Sequence, residues 1–247
     1  MSIDLNDYQT RKLSQWGQDG VLDKIFQVIG TTNKYFVEFG SSGTDSGMGN
    51  TAQLRRNGFD GLLMDGTKRP YTNDPNDNRY ELNIEFIRAS NINSLFEKYN
   101  VPLEFDLLAI DIDGQDFHVW NRLDSKYKPR VVTIEFNYHI LPLKDRVMNW
   151  IEDWIWNGSE ISGSSITAMK NLGMSKNYSL VATCMSDAVF IRNDLIADKN
   201  GMALFKNVND EVELVKGNTD IYNENLKFKF SENHFDISFF KQSYNFL

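Results

Sequence analysis

The stretch Tyr35 to Asn50, YFVEFGSSGTDSGMGN, opens with a short apolar run, carries one carboxylate inside it, and empties into a loop with four glycines. A run of five residues that is apolar at four of them is too short for a buried helix and reads as a strand covered on both faces. Four more runs have the same character: Gly61 to Met64, Phe105 to Ile110, Arg130 to Phe136, and the pair Tyr178 to Thr183 with Ala188 to Arg192. A weaker strand is placed over Ile84 to Arg88 by its position between two stronger ones.

Helical spacing fills the intervals. Asp19, Val21, Leu22, Ile25, Phe26 and Ile29 give an acidic first turn and an i, i+3, i+4 apolar face, closed by Gly30. Asn93 to Tyr99 and Ser164 to Leu172 follow the same rule, the second with Gly173 as its expected cap. Strands alternating with helices predict a mostly parallel sheet with helices on both faces, an α/β Rossmann-like architecture. The last two strands are separated only by Cys184 to Asp187, too few residues for a crossover, so one reversed strand is expected to finish the sheet.

The chain has 247 residues and reads as one domain, residues 1–247, with a core over about 14–195 and an appendage from about 199 to 247 that carries Phe228, Phe230, Phe239 and Phe240. With 26 basic and 34 acidic side chains the formal charge is −8, which leaves no footprint for a nucleic-acid backbone. The single cysteine, Cys184, and a first segment without a basic and apolar leader predict an intracellular, cytoplasmic chain. No apolar run approaches the roughly 20 residues of a membrane span. An aromatic content of 13% leaves room for an aromatic pocket or a homo-oligomer contact.

In a doubly wound sheet, ligands bind beyond the carboxyl ends of the strands. Gly40 and Gly43 follow the first strand there, and Glu38 precedes them by two residues. No Lys-Ser or Lys-Thr follows, so a Walker loop is excluded; the spacing is not G-x-G-x-x-G, and Glu38 would repel a pyrophosphate. A carboxylate at this place suits a ligand with an amino group, and S-adenosylmethionine presents both an amino group and a sulfonium. Asp65 ends the second strand, where a carboxylate can accept from two ribose hydroxyls.

Six segments, SQWGQDGVLDKIF (14–26), FVEFGSSGTDSGMGNT (36–51), FDGLLMDG (59–66), FDLLAIDIDGQDFHVW (105–120), PRVVTIEFN (129–137) and YSLVATCMSDAVFIRNDL (178–195), together resemble the FkbM-like S-adenosylmethionine-dependent methyltransferases. That resemblance implies the seven-stranded class I methyltransferase sheet and transfer to a hydroxyl, often of a saccharide or glycan. It also implies cofactor contacts at Glu38, Gly40, Gly43, Asp65 and Asp111, with Ser14 and Gln15 reaching the methionine end. Lys68 and Arg69 belong to a basic, asparagine-rich stretch, TKRPYTNDPNDNR, that reads as an exposed loop or lid edge, with a place near the adenosine as the alternative.

Three aspartates, Asp111, Asp113 and Asp116, crowd the end of a buried strand, and the next strand ends in Glu135, Asn137 and His139. Such charge density must be solvated, paired or neutralised by a cation. Asp113, Glu135 and Asn137 offer hard oxygen ligands suited to Mg2+, Mn2+ or Ca2+. The candidates for the base that removes the acceptor's proton are Asp116, His118 and His139. The alternatives for the acidic residues are hydrogen bonding to the cofactor, capping of the helix that follows Gly114, and direct binding of sugar hydroxyls. Trp150, Ile151 and Trp154 stand at helical spacing and predict core packing or an oligomer face, with a platform under a sugar as the alternative. Rival readings of the whole are an NAD-dependent oxidoreductase and a non-catalytic adenosine- or sugar-binding domain.

Overall fold

In a computed structural model, the structure describes residues 2–40, 49–67, 82–216 and 244–246, the last three by their backbone alone. Gly43, Lys68, Arg69 and the appendage aromatics lie outside the described residues. In chain order the elements are α1 (Gln18–Ile29), β1 (Tyr35–Phe39), α2 (Ala52–Arg56), β2 (Asp60–Asp65), β3 (Leu82–Ile84), α3 (Ile92–Lys98), β4 (Glu104–Ile110) and α4 (Asp116–Arg122). They continue as β5 (Lys128–Glu135), β6 (Arg146–Met148), α5 (Ile166–Ser175), β7 (Tyr178–Cys184), β8 (Asp187–Arg192), α6 (Glu211–Lys216) and β9 (Tyr244–Phe246).

Seven strands form one sheet in the order β3-β2-β1-β4-β5-β8-β7. All neighbours from β3 to β5 are parallel, while β8 runs antiparallel to both β5 and β7. Chain order reverses between β1 and β4, which is where a doubly wound sheet opens its crevice. A two-residue alternation assigns the two faces. Phe36, Leu63, Leu107, Val131 and Val189 pack with Val21, Leu22 and Ile25 of α1, whereas Val37, Met64, Leu108 and Val132 pack with Leu95, Phe96, Trp120 and Met169 of α3 to α5. Both faces are therefore buried, which is why the strands read as continuous apolar runs.

The expected reversed strand is present, and the structure adds its place in the sheet. It is last of the sheet in sequence but second from the edge in space, because β8 inserts between β5 and β7. The weak strand shifts: β3 ends at Ile84, where the sequence places its start, since after Glu85 donates to Asp65 O at 2.8 Å the chain leaves the sheet and turns Ile87 into the core. Gly173 does not end α5. A Cβ there would lie 2.6 Å from the Phe190 ring, so this glycine serves helix-on-sheet packing, and the left-handed turn falls instead on Asn177 (φ 69°). Nor do Trp150, Ile151 and Trp154 form a helix; they follow β6 in a turn-rich segment. No helix among the described residues is long and apolar enough to cross a membrane.

Candidate functional site

A cavity of about 240 Å³ opens over the crevice. Gly40 beyond β1, Asp65 of β2 and Asp111 beyond β4 line its floor, with Asp113 beside them. Gly40 has φ 68°, and a Cβ at this position would sit 1.5 Å from Asp111 O, so only glycine lets the two loops meet. Asp65 Oδ1 accepts from Thr67 N at 2.7 Å and from its hydroxyl at 3.1 Å, which pins the carboxylate at the cavity edge.

The opposite wall is the segment 149–157. Trp154 donates its indole N–H to Asp113 O (2.8 Å), and Ile151 N donates to Gln115 Oε1 (3.0 Å). On the far rim Arg88 Nε donates to Asp153 (2.8 Å), and the Ser90 hydroxyl to Glu152. The segment thus straps the loop after β3 to the loop after β4. Gly114, at φ 144°, permits this, since a Cβ would meet Trp154 Nε1 at 2.5 Å. Trp150 and Trp156 line the cavity while remaining about half exposed (55% and 44%), so they are neither core residues nor a helix face.

Beyond the cavity floor lies a row of carboxylates. By alternation, Glu38, Asp111, Glu135 and Asp187 fall on the α1 face at the same edge of four neighbouring strands, β1, β4, β5 and β8. Glu38 is buried and committed: Asn50 N donates to it at 2.7 Å, the Thr51 hydroxyl donates as well, and Arg55 adds a favourable charge. Burial still pushes its carboxyl above the usual range. Glu38 does not line the cavity; it anchors the chain entering α2 instead. Asp116 accepts from Ile112 N and Gly114 N, both at 2.8 Å, bracing the loop that carries Asp113, and burial raises its carboxyl to about 6.

Asp111, Asp113 and Glu135 form the open part of the row. Each offers an oxygen within 4.8 Å of the others. Burial and the neighbouring carboxylates push Asp111 and Glu135 well above the ordinary range; for Asp111 the largest neighbour is Asp187, for Glu135 it is Asp111. Asp113 has a left-handed backbone (φ 56°), a conformation non-glycine residues rarely adopt outside turns and sites.

The sequence placed Asn137 with Asp113 and Glu135, and the structure puts Asp111 there. Asn137 is buried, donates Nδ2 to Glu160 O at 2.6 Å, and accepts from His139 N at 3.0 Å, so its amide closes a turn. Neither histidine lines the cavity. His118 bonds Met148 O through Nε2 at 2.7 Å, and burial lowers its pKa; His139 is buried with its ring 4.2 Å from that of Tyr138. Ser14 is buried and holds the entrance of α1, where its N–H joins those of Lys12 and Leu13 on Asp19 Oδ2, while Gln15 is half-buried nearby.

Two residues escaped sequence reasoning. Asp187 opens β8 opposite Glu135, is 3% exposed, and its carboxyl is raised to about 7 by burial. Gln18, on the first turn of α1, donates Nε2 to Asp187 and accepts from Trp16 N, so this residue rather than Ser14 or Gln15 brings the entering chain to the acidic row. The sequence signal for Asp187 was its place as the first polar residue after the hairpin turn, directly across from Glu135 once the β5–β8 register is known. No protein-family model matches the chain, and no curated protein matches it.

Proposed function

We propose that the chain is an S-adenosylmethionine-dependent O-methyltransferase of the FkbM-like kind, built on the class I methyltransferase sheet and acting on a hydroxyl of a saccharide or glycan. The observation that carries the reading is the convergence of Gly40, Asp65 and Asp111, from three neighbouring strands at the switch point, on one cavity. The residues suit the donor: a carboxylate pinned at the end of β2 for ribose hydroxyls, a glycine whose missing Cβ opens the crevice, and negative charge at the end of β4 for a cationic amino acid end. When bound, the donor would supply an electrophilic methyl group.

The chain's own residues do the rest. Methyl transfer is an in-line displacement, so the protein must hold an acceptor oxygen in line and relieve it of a proton. Asp113 lines the cavity and stands beside Asp111 and Glu135; this acidic wall is where the acceptor hydroxyl is oriented and its proton received. Trp150 and Trp156 supply flat apolar surface on the opposite side, which suits the C–H face of a sugar ring and excludes water. Glu38 acts indirectly, by fixing Asn50 and Thr51.

Calorimetry with S-adenosylhomocysteine tests the donor site. Asp65→Ala should weaken binding by roughly tenfold to a hundredfold, the worth of hydrogen bonds to a charged acceptor. Unchanged affinity counts against the ribose assignment. Binding without transfer to any member of a broad hydroxyl panel would leave an adenosine-binding domain.

A further inference from the structure

The row of carboxylates is not evenly satisfied. Glu38 and Asp116 each receive two hydrogen bonds from backbone and hydroxyl donors. By contrast, no hydrogen bond reaches the carboxylates of Asp111 or Glu135 among the described residues, and Glu135 Oε2 is buried without a partner. Behind them Asp187 is 97% removed from water by its 3% exposure; Gln18 takes one of its oxygens, Asn50 is a nearby amide, and Oδ1 has no hydrogen bond. Asp187 and Glu135 are directly opposed in the antiparallel β5–β8 ladder, so their side chains leave the same face of the sheet as neighbours. An orphaned carboxylate oxygen at this depth costs free energy unless a positive charge meets it. Arg55 is spent on the Glu38 side of the row.

The geometry points to a divalent-cation site held by Asp111, Asp113 and Glu135, with Asp187 as the buried carboxylate that backs it. The donor set is all oxygen, which selects hard ions over zinc or copper. On an octahedral Mg2+ or Mn2+, neighbouring ligand oxygens are about 3 Å apart and opposite ones about 4.2 Å. The three ligand oxygens lie within 4.8 Å of one another, so small side-chain rotations close the set. Three carboxylates leave coordination positions for water and for an incoming hydroxyl, a pattern usual for Mg2+, which binds through a few carboxylates and keeps several waters. Asp113 is aimed by its left-handed backbone and by the Trp154 bond to its carbonyl, and Asp111 lines the cavity, so the ion would lie at the border between cavity and carboxylate row.

Asp111 is shared with the proposed donor site, so the ion is tested in the absence of the donor. The full chain, stripped with chelator and without any adenosyl ligand, is titrated with MnCl2 and followed by calorimetry and by the loss of free-ion electron paramagnetic resonance signal. One ion per chain is expected. Asp113→Asn and Glu135→Gln should each weaken it by at least roughly tenfold, and Asp187→Asn by roughly tenfold through the outer layer of the site. Glu97→Gln, an exposed carboxylate on α3, should leave the affinity unchanged. Circular dichroism confirms that each variant is folded; should one of them not fold, protection of the wild-type melting temperature by Mn2+, set against its absence in the other ligand variant, carries the test. Absence of Mn2+ binding at millimolar concentration overturns the proposal, as does binding that the ligand variants leave intact. Mn2+ binding with no affinity for S-adenosylhomocysteine would uphold this site while removing the methyltransferase reading; the reverse result would do the opposite.

Discussion

Asp106 and Asp111 belong to the same strand segment, five residues apart, and live opposite lives. Asp106, near the start of β4, is fully buried and fully served: it accepts from Thr32 N, the Thr32 hydroxyl and Lys34 N, and it faces the Arg130 guanidinium at 3.2 Å. Arg130 in turn donates to Ile29 O and Gly30 O, so the pair ties the turn after α1 to the underside of the sheet. Asp111, just past the other end of β4, has no such donors among the described residues and meets Asp187, Asp116, Asp113 and Glu38 instead. Where a buried charge has its partners within the chain it is architecture. Where the neighbouring charges share its own sign, they do not compensate it.

The widest gap between the two edges should appear with pH. Asp187 and Asp116 have native carboxyls raised to about 7 and about 6 from the ordinary 3.8. Between 3.8 and those values the folded chain holds protons that the unfolded chain has released, so the contribution is complete below about pH 4, falls as pH rises, and is gone above about 6 for Asp116 and about 7 for Asp187. For Asp187 alone that rise corresponds to roughly 4 kcal/mol. In the metal-free chain, Asp187→Asn should therefore gain stability relative to the parent as pH is raised from 5 to 8, measured by urea unfolding at each pH. A constant difference would show that the carboxylate row is already neutralised from within.

Next in size is the amino edge. Asp106→Ala leaves Arg130 buried without its partner and should cost about 3–5 kcal/mol. Asp111→Asn, in the same chelated buffer, should cost nothing or add stability. Equal losses in the two variants would erase the distinction drawn between them.

The smallest effect separates the two glycines that flank β1. Gly30 and Gly40 have nearly the same backbone (φ 69° and 68°), but a Cβ on Gly30 meets nothing within 4 Å while one on Gly40 collides with Asp111 O. Gly30→Ala should cost about 1–2 kcal/mol of left-handed strain and leave ligand affinity alone. Gly40→Ala should add to that strain a loss of S-adenosylhomocysteine affinity, because β4's exit loop must move. Calorimetry on both variants, each checked for folding, reads the contrast.

What the sequence made legible follows from the same division. The central strands were readable because both faces are dry; β1 was placed at Tyr35–Phe39 and found there. The edge strand β3 was misplaced because one short partner ladder, not burial, sets its length. Gly173 was misread because a glycine in a helix can serve either its own end or a neighbour's ring, and only the Phe190 contact decides. Asp65, Asp111 and Asp113 were expected beyond the carboxyl ends of parallel strands, where ligands gather, and they line the cavity there. That rule is blind to Asp187, which begins a strand rather than ending one. Asn137 looked like a ligand by type, but its amide is used within its own turn. The tryptophan-rich segment had a helical rhythm and no helix, since its indoles answer to the Asp113 carbonyl and the cavity rather than to one another.

The hairpin between β7 and β8 gives the reversed strand a further meaning. It turns tightly, with Met185 in a left-handed conformation, and delivers residue 187 opposite residue 135. Strand side chains alternate, so inserting or deleting a single residue at that tip would rotate Asp187 to the other face and present Ser186 or Ala188 in its stead. The carboxylates of the proposed ion site would then be set by the length of a turn that lies outside it, and one codon's worth of slack would add or remove the carboxylate behind that site.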